Sequence, residues 1–207
     1  MNLLIVAATQ FEIEPFIRHK KKADILITGV GIPATVYHLT QKLMTKKYDL
    51  VIQAGIAGSF SERLNLGEVV AIKEDTFADL GIEEKGNLQT LFETGFIKKN
   101  DFPFTNGWLV NQHPALEKNF WPLAKGITVN KISDNEVHNK LMQQKFAAEI
   151  ESMEGAAFHY VCLQQKINFL QIRSISNTVG ERDKTKWKMK TSIENLNKEL
   201  IKIVDNL

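Results

Sequence analysis

Short apolar runs alternate with longer stretches of helical periodicity along the chain, and this alternation confines it to an α/β architecture. Strand-like runs fall at 2–8, 24–28, 49–54, 67–72, 126–130, 147–151 and 168–173. Helical patterns fall at roughly 11–19, 33–46, 114–124, 136–146, 153–165 and 189–205. The last is the clearest, because Ile193, Leu196, Leu200, Ile203 or Val204, and Leu207 recur at helical spacing. Gly67 reads as a turn that leads into Val69-Val70-Ala71-Ile72. The stretch 79–107 is the least regular. Its Phe92, Phe96, Phe102 and Phe104 lie among Gly81, Gly86, Gly95 and Gly107, which fits a covering loop, a subunit contact, or a loop folded over its own core.

The apolar runs border on residues that carry chemistry. Leu3–Ala8 leads into Thr9-Gln10-Phe11-Glu12, the run at 147–151 leads into Ser152-Met153-Glu154-Gly155-Ala156, and Gln171–Asn177 holds Arg173 and Asn177. Open α/β sheets bind small molecules at strand ends of this kind. Each residue also has a plainer reading. Glu12 suits the first turn of a helix electrostatically, Met153 suits a core, and Asn177 suits a turn. Arg173 ends an apolar strand and needs a partner there: Glu12, Glu154 or a bound water, or else Glu151 or Glu181 in a structural ion pair.

At 207 residues, 43% of them apolar and 24% charged, the chain suits a single domain spanning 1–207 with a full core. A formal charge of +2 calls for neither nucleic acid nor an anionic membrane as partner. The single Cys162 permits no internal disulfide and fits a reducing cytoplasm. Leu3–Ala8 is too short for a signal core, and no apolar run reaches membrane-spanning length. The histidines at 19, 38, 113, 138 and 159 pair neither with each other nor with Cys162, so no structural zinc site is expected, and the chain is expected to need no metal or cofactor. The run Lys20-Lys21-Lys22 reads as plain surface.

Gly29-Val30-Gly31-Ile32-Pro33-Ala34 matches G-x-G-x-x-A and has Asp49 twenty residues after Gly29. A dinucleotide fingerprint would place its acid at the far end of the second strand and use the first strand of the unit. Here Asp49 precedes Leu50-Val51-Ile52, and another strand comes first. A glycine turn that lets a helix pack close to the sheet is the better reading.

Ala7-Ala8-Thr9-Gln10-Phe11-Glu12, Gln53-Ala54-Gly55-Ile56-Ala57-Gly58-Ser59-Phe60, Gly67-Glu68-Val69-Val70, Ser152-Met153-Glu154-Gly155-Ala156 and Arg173-Ser174-Ile175-Ser176-Asn177 occur in this order. In this arrangement the chain resembles the nucleoside phosphorylase and nucleosidase superfamily. The tail Thr178-Val179-Gly180-Glu181-Arg182-Asp183, with Trp187, resembles its futalosine-hydrolysing branch. The resemblance implies a three-layer α/β/α fold with a central mixed, twisted sheet, and a homo-oligomer with 75–105 at the contact. It implies hydrolysis of the N-glycosidic bond of futalosine, releasing hypoxanthine and dehypoxanthine futalosine in menaquinone biosynthesis.

The resemblance also implies roles for individual residues. Glu12 activates water, Glu154 binds the ribose hydroxyls and faces the developing cation, Met153 packs on the sugar, and Arg173 organises the acids. Gly55 to Gly58, with Ile56 among them, form a tight loop against ribose and water. Ile132 edges the purine, while Arg182 and Trp187, with Lys184 and Lys186 nearby, form a lid over the substrate tail. Asn177 stands where nucleosidases acting on adenine nucleosides carry Asp. A carboxamide cannot transfer a proton, but it can donate to a 6-keto oxygen and accept from a protonated N7. The amide can also flip toward an amino group. Ile56 replaces a polar residue and no Arg or Ser cluster lies near Gly29–Ala34, so water is expected as acceptor rather than phosphate. The alternatives are a methylthioadenosine/adenosylhomocysteine nucleosidase, a purine nucleoside phosphorylase, or a non-catalytic nucleoside-binding or storage protein.

Overall fold

A computed structural model describes residues 1–19, 22–118 and 120–207. Lys20 and Lys21 of the basic run lie outside the described residues, as does Asn119 within the expected helix at 114–124. The strands are β1 (Leu3–Ala7), β2 (Asp24–Ile27), β3 (Leu50–Ser59), β4 (Val69–Asp75), β5 (Gly81–Glu84), β6 (Asn87–Thr90), β7 (Leu109–Val110), β8 (Leu123–Thr128), β9 (Ile150–Ser152) and β10 (Phe169–Thr178). The helices are α1 (Gln10–Arg18), α2 (Ile32–Thr45), α3 (Glu136–Phe146), α4 (Gly155–Gln164) and α5 (Met189–Asp205).

The expected mixed sheet forms between two helical layers. β1, β3 and β10 are almost wholly buried, as expected of strands covered on both faces. On one face α1 and α5 pack on Leu3, Ile5, Ile52 and Ile172 through Phe16, Leu196 and Leu200. On the other, Leu39 and Leu43 of α2 and Phe158, Val161 and Cys162 of α4 meet Leu4, Val6 and Val51. Burial pushes the Cys162 thiol well above its usual range, so it serves as packing.

The sheet runs β10-β4-β8-β9-β3-β1-β2, and β10 also pairs with β3, so five of its strands close into a ring. β3 makes this possible by its length. One of its edges pairs with β10 from Val51 to Ser59. Its other edge pairs with β1 from Leu50 to Gln53, then with β9 at Gly58 and Ser59. Between these partners β1 and β9 diverge, and Ala54–Ala57 have no ladder partner on that side. The crevice that opens there is a topological switch point.

Several expectations need correction. Gly55–Gly58 are not a loop but the interior of β3, and Arg173 lies inside β10 rather than at its end. The ladder between these two strands carries both past the apolar runs that marked them. The pattern at 114–124 gives only a short 3-10 turn at Pro114–Lys118, because Leu123 joins β8, where its register neighbour is Ala71. Within 79–107, β5 and β6 form a hairpin. Phe92 and Phe104 meet edge to face at 5.1 Å, and Phe104 lies 6.2 Å from Tyr160 of α4, whereas Phe96 and Phe102 are exposed.

Candidate active site

Glu12 and Glu154 enter the crevice from its two sides, one from α1 after β1 and the other directly after β9. They border a cavity of about 260 Å³ whose lining includes Ile56, Met153, Asn177, Ile132, Arg182 and Trp187. Eight of the ten candidate residues from the sequence therefore share one cavity. The other two, Arg173 and Gly55, are not in the lining. No residue of 79–107 lines it either.

Ala54–Ala57 lack a ladder partner on one edge, and this fixes Glu12. The free N–H of Ile56 donates to Glu12 Oε1 at 3.1 Å. On Oε2, the Thr9 N–H and hydroxyl donate at 3.0 and 2.9 Å. Three donors hold a carboxylate whose residue is only 7% exposed. An ionised carboxylate accepts about four hydrogen bonds, so capacity for one more remains.

The carbonyl of the same Ile56 accepts from Arg173 Nη1 at 3.3 Å, and Gln53 Oε1 accepts from Nη2 at 3.1 Å. Glu154 Oε2 lies 3.5 Å from Arg173 Nη1, and both side chains are buried. The arginine's ion-pair partner is thus Glu154, not Glu151 or Glu181; the latter pairs with Lys186 at 2.7 Å. Gly55 faces Arg173 in the register, and a Cβ there would run into the guanidinium and come within 3.0 Å of Glu12 Oε1. Glycine at 55 is what lets the buried cation lie flat beneath the carboxylate.

The Gly29–Gly31 turn has φ of +84° and +96° at its glycines and aims the Gly31 N–H at Glu154 Oε1, 3.0 Å away. The turn therefore serves the cavity, which Val30 also lines. Asn177 follows a bulge in β10 at Ile175/Asn177. Its Nδ2 donates to the Thr178 carbonyl at 2.9 Å, and its Oδ1 accepts from the Ser176 hydroxyl at 2.7 Å. A carbonyl can only accept, so the amide orientation left open by the sequence is fixed. One N–H and one oxygen lone pair stay free. At the mouth, the Arg182 guanidinium lies 5.8 Å from the Trp187 ring centroid, beside the exposed Phe11 and Ile132.

Sequence reasoning missed two residues. Asn197 of α5 is buried, and it repairs a break in α1. Pro15 lies within that helix, and Ile13 departs to φ −121°. The Phe16 N–H and Glu12 C=O, which a regular turn would join, are bridged instead by Asn197 Oδ1 at 2.9 Å and Nδ2 at 2.8 Å. An asparagine on the apolar stripe of α5 was the available signal. Asn197→Leu strands both backbone groups and is expected to cost about 2–4 kcal/mol by urea denaturation.

The second is Glu151, which lines the cavity and has no hydrogen-bond partner among the described residues. Burial, with nearby Asp79, pushes its carboxyl up from 4.5 to about 7. A folded value above the unfolded one means that this group's stability contribution is full below 4.5 and is lost as pH rises through about 7. Glu151→Gln is therefore expected to raise unfolding stability at pH 8 by up to about 3 kcal/mol, and little at pH 4. Thermal denaturation at the two pH values checks this.

The model of the phosphorylase superfamily matches residues 3–207. A futalosine hydrolase of Thermus thermophilus is 28% identical over 175 residues, covering 83% of this chain and 76% of that protein. A 5'-methylthioadenosine/S-adenosylhomocysteine nucleosidase of Tolumonas auensis is 27% identical over 187 residues, covering 87% and 78%. Among solved structures, the native futalosine hydrolase of Helicobacter pylori superposes with a TM-score of 0.81 at 15% identity, covering 100% of this chain and 98% of that one. The methylthioadenosine/adenosylhomocysteine nucleosidase of Neisseria meningitidis, complexed with methylthio-immucillin-A, gives 0.81 at 16% identity, covering 100% and 99%. The match over nearly the whole sequence and the likeness of fold agree: the chain belongs to the phosphorylase superfamily.

Proposed function

We propose that this member of the superfamily is a purine nucleosidase that hydrolyses futalosine, releasing hypoxanthine and dehypoxanthine futalosine as a step of menaquinone biosynthesis. The observation that carries the reading is the convergence of Glu12, Glu154 and Asn177 on one cavity. Cleavage of an N-glycosidic bond develops positive charge on the sugar and negative charge on the base. Glu12, with one accepting position to spare, takes the proton of the attacking water. Glu154 holds the ribose hydroxyls and, as a fixed anion, favours the cationic transition state over the neutral substrate. Arg173 holds Glu154 in place as its buried partner. Asn177 offers one N–H to O6 and one lone pair to a protonated N7, a pattern that suits a 6-oxopurine. Arg182 and Trp187 at the mouth supply a cation and an aromatic face for a carboxylated aryl tail.

Water is the acceptor in this reading. The Gly31 N–H, which faces the cavity from a glycine turn, is already committed to Glu154, and Ile56 offers no side-chain hydroxyl. Turnover in phosphate-free buffer made with ¹⁸O-labelled water tests this. One labelled oxygen is expected at the anomeric position of the sugar product, and a sugar 1-phosphate formed only with added phosphate would overturn it.

Asn177→Asp is expected to shift preference toward 6-aminopurines. The ratio of kcat/KM for 6-oxo over 6-amino nucleosides should fall about 10- to 100-fold, the worth of one hydrogen bond involving a charged group. An unchanged ratio would remove Asn177 from base recognition.

A further inference from the structure

Behind the catalytic pair, between the sheet and α4, lies a layer of polar groups that the mechanism above does not use. Asp75, His159 and Gln171 are all fully buried there. His159 Nε2 and Gln171 Oε1 have no hydrogen-bond partner among the described residues. His159 Nδ1 lies 2.8 Å from the Leu109 carbonyl, which can only accept, so Nδ1 carries the proton. Burial pulls the imidazole down from 6.5 to about 4 and keeps it neutral. Nε2 is therefore a bare acceptor, and Gln171 is the side chain beside it. The Gln171 amide nitrogen is directed instead at Asp75 Oδ2, 3.4 Å away, which is long for such a bond. Turning the amide end for end gives His159 Nε2 its donor and brings the Gln171 oxygen to Asp75. Two oxygens then face each other, and the contact holds only if Asp75 carries a proton. Asp75 Oδ1 accepts from the Thr128 hydroxyl at 2.9 Å, as the carbonyl oxygen of a neutral acid does. Complete burial favours that neutral form and pushes the carboxyl up from 3.8 to about 7, against Thr128, Arg173, Gln171 and the Thr76 N–H. The turned amide removes Gln171 from that opposition.

The layer bears on the site from beneath. Thr128 Oγ1 accepts the Ala156 N–H at 2.7 Å, in the first turn of α4, whose N-cap is Glu154. A Cβ on Gly155 would run into Asp75 Oδ2 and Gln171 Nε2, so the start of α4 rests directly on this pair. Arg173 shares a face of β10 with Gln171 and pairs with Glu154 at 3.5 Å. The titratable groups around Asp75 are thus Arg173 from β10 and His159 from α4, with Glu154 across the guanidinium. An ionised Asp75 competes with Glu154 for Arg173; a neutral one does not.

We propose that Asp75 is a positioning residue that works as a protonated acid, donating to Gln171, which donates to His159, which donates to the Leu109 carbonyl. The chain braces the start of α4 and leaves Arg173 to Glu154. The inference rests on the reading that Glu154 and Arg173 serve the catalytic cavity. A neutral acid completes the chain because it both donates and accepts. An ionised one only accepts, and strands the Gln171 oxygen and the His159 nitrogen without donors.

Infrared difference spectroscopy of wild type against D75N at pH 6, without substrate, reads the proton. The carbonyl stretch of a protonated carboxylic acid is expected in wild type and absent from D75N. Kinetics reads the positioning. D75A and Q171L break the chain, and kcat should fall about 10-fold, the worth of one buried hydrogen bond, with KM little changed. Asparagine presents the donor and acceptor of a protonated Asp, so D75N should rescue kcat to within about threefold of wild type. Circular dichroism confirms that each variant is folded; if D75A is not, Q171L against D75N carries the comparison. No acid band in the difference spectrum, a D75N as impaired as the chain-breaking variants, or wild-type kcat in folded D75A or Q171L would overturn the proposal. The kinetics are run on whichever purine nucleoside wild type cleaves. Failure of the futalosine reading therefore shows in wild type, and failure of this inference in the variants and the spectrum.

Discussion

Glu12→Gln is expected to lower kcat by ~10²–10⁴-fold while leaving hypoxanthine binding close to wild type. A carboxamide cannot take the proton of the attacking water, so the variant loses the chemical step and keeps the base pocket. The environment of Glu12 sharpens the expectation. Its two oxygens accept from Ile56 N–H on one side and from Thr9 on the other. A glutamine satisfies only one side with its oxygen and turns its amino group toward a donor on the other. A modest stability loss of about 1–3 kcal/mol should accompany the loss of activity. Single-turnover hydrolysis, calorimetric titration with hypoxanthine and thermal denaturation separate the two effects. Wild-type turnover in the variant would contradict the assigned role.

The second large effect is expected at Arg173. Its guanidinium lies beneath the site, with Ile56 O, Gln53 Oε1 and Glu154 Oε2 around it. Arg173→Met fills part of the volume but leaves Glu154 without its buried counter-charge and Gln53 Oε1 without its donor. Breaking a buried pair by removing one partner costs about 3–5 kcal/mol. The variant should also lose activity, because Glu154 then lacks the guanidinium that positions it against the cationic transition state. Denaturation by urea measures the first, and kcat the second. A variant with wild-type stability would show that the ion pair contributes nothing to the fold. Lysine is not an adequate replacement, since a single ammonium cannot serve Gln53 and Glu154 from one position as the planar fork does.

Much of this was legible in the sequence, for identifiable reasons. The α/β class followed from apolar runs and helical periodicity, and α5 from the spacing of Ile193, Leu196, Leu200 and Ile203, all buried. Glu12, Glu154 and Asn177 stood out because polar residues beside apolar runs mark strand ends. Tertiary pairing was not legible. The resemblance implied a loop at Gly55–Gly58, yet the ladder to β10 carries β3 through them. The closure of the ring through β10 and β3 depends on β3 changing partners from β1 to β9, which no local pattern encodes. Asn197 was hidden because its importance lies in the backbone of a helix 181 residues away in sequence. Glu151 read only as a spare partner for Arg173, and its place in the cavity wall exists only in the folded sheet.

The most direct test of the central claim is a side-by-side measurement of kcat/KM on futalosine and methylthioadenosine in phosphate-free buffer, with the released base identified by chromatography. Hypoxanthine from futalosine is expected as the favoured product, with no acceleration on adding phosphate. Preferred release of adenine from methylthioadenosine, or no release of base from either, would contradict it.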